Sequence, residues 1–342
     1  MQYIKFESLS KKDKKSIEVF LQLQNNNCYF QSILFFNACQ LTPLLTPYYY
    51  IAYEEKQIIG SLLVFTQAQY SFFPLNILSA RNIIWGEPVV LNNNPEIHNG
   101  LYDAYLKDKP LSIYTQVRNL CDQSLHKPSL QQLGFVYEDH LNILVDLQKT
   151  QDELWKDVDT KRRNEIRRAI REGTIFEADT SLVTLYKCYN ILVEVYQRAK
   201  LPLPQLSHFE ALLQENSENE GLKIFVALYE EKVIGCMFCL ACGDTLFDYY
   251  AGAYSIFYKK YPNDLIPWEV FKWAKENGFK HFDFGGAGKP DVPYGVRDYK
   301  KKFGGVLVNY GRFEKIHFPL LYSMVLRAFK LWKTMKKNDN PI

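Results

Sequence analysis

"VALYEEKVIG" (residues 226–235) and "IAYEEKQIIG" (residues 51–60) lie 175 positions apart and align without a gap. Ile51, Ala52, Ile58, Ile59 and Gly60 stand opposite Val226, Ala227, Val233, Ile234 and Gly235. Each copy is a run of apolar β-type residues, a charged turn and a second apolar run, "GSLLVF" or "GCMFCL". That is the pattern of a hairpin with a glycine soon after its turn. Charged turns between apolar strands also arise by chance, but their placement in both halves of a 342-residue chain favours duplication. Around each hairpin, helical and strand patterns alternate, which points to mixed α/β units rather than a bundle or a sandwich. The expected architecture is two tandem α/β domains, residues 1–148 and 149–317, with mixed sheets flanked by helices and a basic amphipathic tail at 318–342.

Composition agrees with a large buried core: 47% of residues are hydrophobic and 15% aromatic, enough for about two domains. With 41 basic against 38 acidic residues the net charge is +3, so overall charge does not mark a nucleic-acid binder, and any basic function is local. The opening "MQYIKFESLSKKDKKSIEVF" lacks the apolar core of a signal peptide, and no stretch reaches the roughly 20 apolar residues of a membrane span. The chain therefore reads as cytoplasmic. Seven cysteines without paired spacings suit a reducing compartment. Three of them, Cys236, Cys239 and Cys242 in "CMFCLAC", invite a metal–sulfur reading. On a strand, however, residues three apart point to opposite faces, and Leu246 stands where a fourth ligand is needed, so buried thiols are expected. The histidines at 98, 126, 140, 208, 281 and 317 form no pair at helical ligand spacing, and no metal is expected.

The richest stretch is "FDFGGAGKPDVPYGVRDYKKKFGG" (282–305). Before it, "DLIPWEVFKWAKENGF" predicts a helix with Asp264 as N-cap, Pro267 in the first turn, Ile266, Val270, Phe271 and Ala274 on one face and Gly278 as terminator. "KHFDFGG" then predicts a strand with Phe282 and Phe284 on one face, His281 and Asp283 on the other, and Gly285 at its end. Ligands of open α/β sheets tend to bind at such carboxyl ends. The glycines fit neither phosphate motif. A P-loop needs glycine at Asp283 and Ser or Thr at Pro290, and a dinucleotide fingerprint needs its third glycine at Asp291. What remains is a mobile, turn-rich loop in which Gly295, Gly304 and Gly305 bracket Arg297, Tyr299, Lys300, Lys301 and Lys302, cations able to close over an anionic or polar group.

These residues carry a resemblance. The hairpin "VALYEEKVIG", the helix and strand "LIPWEVFKWAKENGFKHFDFGG" and the closing "GVRDYKKKFGG" resemble the Fem-type (FemAB, peptidoglycan bridge-forming) aminoacyltransferases of the wider GNAT acyltransferase superfamily. The family's final motif, an aromatic residue and lysine, two residues, then phenylalanine and glycine, is matched by Tyr299, Lys300, Phe303 and Gly304. "NCYFQSILFFNA" and "LWKDVDTKRRNEIRRAIREG" extend the similarity over most of the chain, and the family's twin GNAT-like domains account for the repeat. The resemblance implies acyl transfer to an amine and puts Lys300 in the place of the lysine implicated in catalysis. An activated acyl group needs alignment of an uncharged amine and stabilisation of the developing oxyanion rather than a nucleophilic triad. Asp283 is a candidate proton acceptor, with bonding to its own turn amides as the bland alternative. Arg297 reads equally as a bidentate clamp for phosphate or carboxylate and as a surface charge near Asp298. The expected substrate-binding set is Arg297, Tyr299, Gly285, Gly286 and Phe303, joined by Arg163 and Arg167.

Those two arginines belong to "TKRRNEIRRAIREG" (160–173), where Lys161, Arg162, Arg163, Arg167, Arg168 and Arg171 face Glu165 and Glu172, with Ile166, Ala169 and Ile170 inward and Gly173 as the stop. The face reads equally as solvated surface and as a contact for RNA or pyrophosphate. In "FPLLYSMVLRAFKLWKTMKK", Arg327, Lys330, Lys333 and Lys337 run beside Leu326, Phe329, Leu331 and Trp332, suited to an anionic membrane surface or to docking on a core. Acyl-CoA enzymes of the superfamily usually carry Arg or Gln ahead of a glycine-containing turn that grips pyrophosphate, and residues 244–266 contain neither Arg nor Gln. No bound cofactor is expected. The favoured reading is transfer of an aminoacyl group from aminoacyl-tRNA to an amine of a cell-envelope precursor, lipid-linked and met at the inner membrane face. The alternatives are an acyl-CoA-dependent N-acetyltransferase acting on an amino sugar or surface-polysaccharide precursor, and a non-catalytic GNAT-fold binding protein.

Overall fold

A computed structural model describes residues 1–24, 28–217, 219–325 and 327. The charges of the C-terminal stretch, apart from Arg327, fall outside them, as do Leu326, Phe329, Leu331 and Trp332. Among the described residues no helix is long and apolar enough to cross a membrane.

The strands are β1 (Gln2–Phe6), β2 (Leu45–Glu54), β3 (Gln57–Gln67), β4 (Arg81–Trp85), β5 (Val89–Val90), β6 (Tyr114–Arg118) and β7 (Val136–Glu138), then β8 (Leu141–Asp146), β9 (Ile175–Ala178), β10 (Gly221–Tyr229), β11 (Lys232–Cys242), β12 (Thr245–Ala253), β13 (His281–Gly286), β14 (Val306–Asn309) and β15 (Arg312–Ile316). They form two mixed sheets, β1-β2-β3-β4-β6-β15-β7, with β5 on β3, and β14-β8-β13-β12-β11-β10-β9. Two α/β units result, in the tandem arrangement expected from the repeat.

The duplicated hairpins agree in backbone detail. β2 pairs with β3 and β10 with β11, both antiparallel, and each ladder slips register at the matched position, Ala52/Tyr53 and Ala227/Leu228. Each turn holds two left-handed residues, Glu55 and Lys56 in one and Glu230 and Glu231 in the other. That geometry matches the right-handed twist of a two-residue hairpin. The shared glycine admits a helix to the sheet. A Cβ at Gly60 would lie 2.7 Å from Ile97 Cγ2 of helix Pro95–Lys107, and one at Gly235 would lie 2.8 Å from Pro262 Cβ of helix Pro262–Glu276.

The units are not contiguous in sequence. One comprises Met1–Phe20, Leu44–Glu138 and the chain from Gly311, and the other Leu21–Pro43 and Asp139–Tyr310. The division expected at residue 148 is displaced because β8 pairs with β13 and β14, whereas β15 pairs with β6 and β7. Residues 28–43 join the second unit through buried aromatics and polar ties. Tyr29 donates its hydroxyl to Glu215 O at 3.0 Å, Asn37 donates to Glu215 Oε2 at 2.9 Å, and Thr42 Oγ1 meets His208 Nδ1 at 3.2 Å.

Several local expectations shift. Asp264 is not the N-cap of its helix: Tyr261, in the left-handed region, occupies that position, and Asp264 lies buried in the first turn. β13 continues through Gly285 to Gly286, and the loop after it contains a helix, Gly295–Lys301. In helix Thr160–Arg171, Ile166 and Ala169 are buried, whereas Ile170 is 55% exposed, one residue step having turned it off the inner face. Cys236 and Cys239 are buried thiols as expected. Cys236 reaches toward Cys188 O, and Cys239 packs with Met237 and Ala241 in the core cluster. Cys242 is half-buried and faces the Cys28 thiol at 2.8 Å.

Candidate active site

The site arises where two parallel strands part. β12 and β13 pair only over Thr245–Phe247 and His281–Asp283, although β12 runs on to Ala253 and β13 to Gly286. Beyond the last pair, the backbone edges separate and leave room for a ligand. In the first unit the corresponding parallel pair, β4 and β6, stays in register over all of Arg81–Trp85 and Tyr114–Arg118. Both strands end where their pairing ends, so neither runs on past its partner. A bulge in the β11–β12 ladder between Phe238 and Cys239 leaves Tyr249 unmatched in the register and turns the strand just as the gap opens.

The resulting cavity of about 420 Å³ is lined by β12 from Asp248 to Ala253, by Val195, Tyr196 and Ala199 of helix Leu182–Ala199, by Phe284 and Gly286, and by Tyr294, Val296, Tyr299 and Lys300. The wall is rich in tyrosine and carries one lysine and one carboxylate. Lys300 Nζ donates to Phe284 O and stands 3.3 Å from Asp248 Oδ2. Burial raises the Asp248 pKa, and the Lys300 ammonium opposes that rise. Asp248 is the residue that sequence reasoning missed. It lies inside an apolar-aromatic strand, "TLFDYYAGA", where an inward carboxylate was itself the available signal.

The structure sorts the expected residues. Lys300, Tyr299 and Gly286 line the cavity. Tyr299 donates its hydroxyl to Asn263 O, and burial pushes its pKa well up. Gly285 holds φ +67°, and a Cβ there would come within 3.2 Å of both Asp248 O and Phe247 Cζ, so glycine permits the close approach behind Asp248. Asp283 is not part of the wall. Asn142 Nδ2 donates to both of its oxygens, at 3.2 and 2.9 Å, and Gly285 N–H donates to Oδ1 at 2.7 Å. Burial pushes its pKa up to about 6 against those hydrogen bonds and the nearby Lys300 charge. It serves the turn as well as facing Lys300 electrostatically.

Arg297 is bonded within its own loop. Its guanidinium donates to Ala287 O at 3.3 Å, Lys289 O at 2.7 Å and Val292 O at 2.7 Å, lacing the 287–292 loop together. Phe303 is a core residue, buried against Phe284 and Tyr299 with ring centroids at 5.8 and 5.3 Å, and so supports the wall from behind. Arg163 and Arg167 also lie off the cavity. Arg163 donates to Thr160 Oγ1 at 3.0 Å, and Arg167 donates to Asn164 Oδ1 at 3.3 Å with its guanidinium over the Trp155 ring. On the same helix Arg162 pairs with Glu165 at 2.9 Å and with buried Asp264, whose pKa burial raises to about 6 against the pull of the arginine.

A buried ammonium held by one carboxylate and one carbonyl is a fixed positive charge at the edge of a tyrosine-lined gap. Such a group can stabilise negative charge developing on a carbonyl or leaving oxygen. The carboxylate beside it can accept a proton. Acyl transfer is one reaction that uses both.

Residues 160–301 match the family described as "Acetyltransferase (GNAT) domain". The fold is similar to that of FemX, at 15% identity over 95% of this chain and 99% of that one, with a TM-score of 0.72. It is also similar to L-PGS from Bacillus licheniformis, at 15% identity over 95% and 98% of the two chains and a TM-score of 0.59. A tandem GNAT protein from the clavulanic acid biosynthesis pathway is 6% identical over 92% of this chain and 98% of its own, with a TM-score of 0.58. At these identities the likeness establishes the fold. No curated protein matches the sequence.

Proposed function

With residues 160–301 forming a GNAT acyltransferase domain in a chain that shares its fold with FemX, we propose that the protein transfers an aminoacyl group from aminoacyl-tRNA to an amine of a cell-envelope peptide precursor at the cytoplasmic face of the membrane. The observation that carries this reading is Lys300, fixed by Asp248 and Phe284 O at the wall of the gap between β12 and β13. The acceptor amine, uncharged, attacks the ester carbonyl carbon. Its oxygen becomes an oxyanion opposite the Lys300 ammonium. Collapse breaks the bond to the ribose oxygen, which leaves with the proton the amine gives up, relayed by Asp248. Asp283 acts as a positioning residue, holding the Gly285 turn and Asn142 while adding negative charge near Lys300. Tyr299 and Gly286 contact the substrate, with Gly285 and Phe303 shaping that wall from behind. Arg297 keeps the adjoining loop closed. Arg163 and Arg167, off the cavity, offer the tRNA backbone a basic face.

Two features support an ester donor over acyl-CoA. Helix Pro262–Glu276, which follows β12 and would present its amides to a pyrophosphate, opens with a proline that has no N–H. Its first turn already holds the Asp264 carboxylate, paired with Arg162, and Asp264 N–H is bonded to Tyr261 O. The acetyltransferase description of the matched family favours a second reading, acetyl-CoA-dependent N-acetylation of an amino sugar.

The test supplies the purified protein with radiolabelled aminoacyl-tRNA or acetyl-CoA and with a lysine-containing muramyl pentapeptide or glucosamine phosphate. Label passing from tRNA to the peptide, and falling about 10²–10³-fold in Lys300→Met, is the expected result. Transfer from acetyl-CoA alone replaces the reading with the second. Turnover of neither donor leaves the non-catalytic binding role.

A further inference from the structure

We propose that the first unit carries a structural zinc site formed by Glu87, His98, Cys121 and His126. No pair of these ligands has a helical spacing, and His98 and His126 are 28 positions apart in the chain. The fold brings Glu87, His98 and His126 together, with Cys121 beside Glu87. Glu87 follows β4, His98 stands on helix Pro95–Lys107, and Cys121 and His126 lie between β6 and helix Lys127–Gln132. One imidazole nitrogen from each histidine and one Glu87 oxygen all lie within 4.8 Å of one another. The two imidazoles stack with centroids 3.8 Å and planes 15° apart, so the less buried His126 turns off the stack to bring both ring planes onto one ion, and the Cys121 thiol donates toward Glu87 Oε1 at 3.6 Å.

The deciding observation is His98. Its side chain is buried, the residue being 1% exposed, and its Nε2 has no hydrogen-bond partner. An orphaned buried nitrogen is costly unless something fills its lone pair or takes its proton. His98 Nδ1 faces Asn99 Oδ1 at 3.4 Å, the outer contact that leaves Nε2 free to bind a metal. Gln123 likewise donates to Glu87 Oε2 at 2.8 Å and would orient that carboxylate. Two imidazoles, a carboxylate and a thiolate suit Zn²⁺ and exclude the hard, oxygen-seeking cations. The two anionic ligands would balance the ion's charge. A tetrahedral site with bonds of about 2.0–2.3 Å needs ligand atoms about 3.4–3.6 Å apart, so the Glu87, His98 and His126 atoms close by about 1 Å on binding, while Cys121, placed by its contact with Glu87, rotates in as the fourth ligand. With four protein ligands the site is closed to substrate, and its effect is to pin the 119–126 segment to helix Pro95–Lys107.

The experiment uses the full-length protein, stripped with a chelator and then titrated with Zn²⁺ against a chromogenic zinc indicator, with Co²⁺ as the spectroscopic substitute. One equivalent should bind and raise Tm. Cobalt should give the intense bands of a four-coordinate ion with a thiolate-to-metal band that Cys121→Ser removes. His98→Ala and His126→Ala should each abolish stoichiometric binding. Because His98 is buried, its variant risks misfolding. The His126→Ala and Cys121→Ser changes, at a 14%-exposed and an exposed side chain, keep the test intact. Absence of stoichiometric binding, binding unaffected by the histidine changes, or a six-coordinate cobalt spectrum without the thiolate band would overturn the site.

Discussion

Replacing Lys300 by methionine keeps the side chain's length and deletes its charge, and the structure sets the cost. The Lys300 and Asp248 side chains are 13% and 7% exposed and 3.3 Å apart. Removing one partner of a buried pair costs about 3–5 kcal/mol when the other charge stays ionised. Asp248 has an escape. Burial already raises its pKa against the pull of Lys300, so losing the lysine raises it further and the carboxyl takes up a proton. In the unfolded chain the same group titrates near about 3.9. The folded state therefore binds more protons in the window between that value and the raised folded pKa. Stability falls as pH rises through the window, by up to about 1.4 kcal/mol per pH unit, and levels above it. Lys300→Met should approach the wild type near the acid end of that window, at about pH 4, and fall progressively further below it as pH rises through the window. Adding Asp248→Asn should recover most of the loss and flatten the difference. Urea unfolding followed by tryptophan fluorescence in a Trp85→Phe background weights this unit, which holds Trp155, Trp268 and Trp273, the first two with rings 4.6 Å apart. A Lys300→Met protein within about 1 kcal/mol of wild type at alkaline pH, with an unchanged pH profile, would refute a buried ion pair at the site.

Two further outcomes test the wall around that pair. Gly285→Ala should cost about 1–2 kcal/mol in urea unfolding, because φ is +67° and the added Cβ meets Asp248 O, whereas Gly295→Ala, with nothing within 4 Å and no positive φ, should be neutral within about 0.5 kcal/mol. Arg297→Ala removes the bonds to Ala287 O, Lys289 O and Val292 O, so limited proteolysis should cut the 287–292 loop faster while the urea midpoint moves little.

Much of the fold was legible in the chain because its signals are local. A two-residue charged turn between apolar runs defines a hairpin whichever half of the molecule it occupies, and both copies fold with the same left-handed pair and the same register slip. The helix Pro262–Glu276 followed by β13 was likewise set by periodicity and by Gly278. Lys300 could be picked out because a short motif surrounds it. Phe303 belongs to the same motif yet is buried in the core, and neighbouring Arg297 is bonded to loop carbonyls, since a motif gives residue identity and not the direction in which a side chain faces.

The sequence by itself determined the two hairpins and the mixed α/β character through contacts between near neighbours, and its resemblance to the Fem-type family singled out the lysine of the closing motif. Only the tertiary structure decided the rest. It assigned β8 to the second sheet and β15 to the first, because strand pairing joins residues more than a hundred positions apart. It opened the gap in one parallel strand pair and kept the other paired to its ends. It also set Asp248 against Lys300 and His98 against His126, contacts that depend on burial and long-range packing rather than on any spacing along the chain.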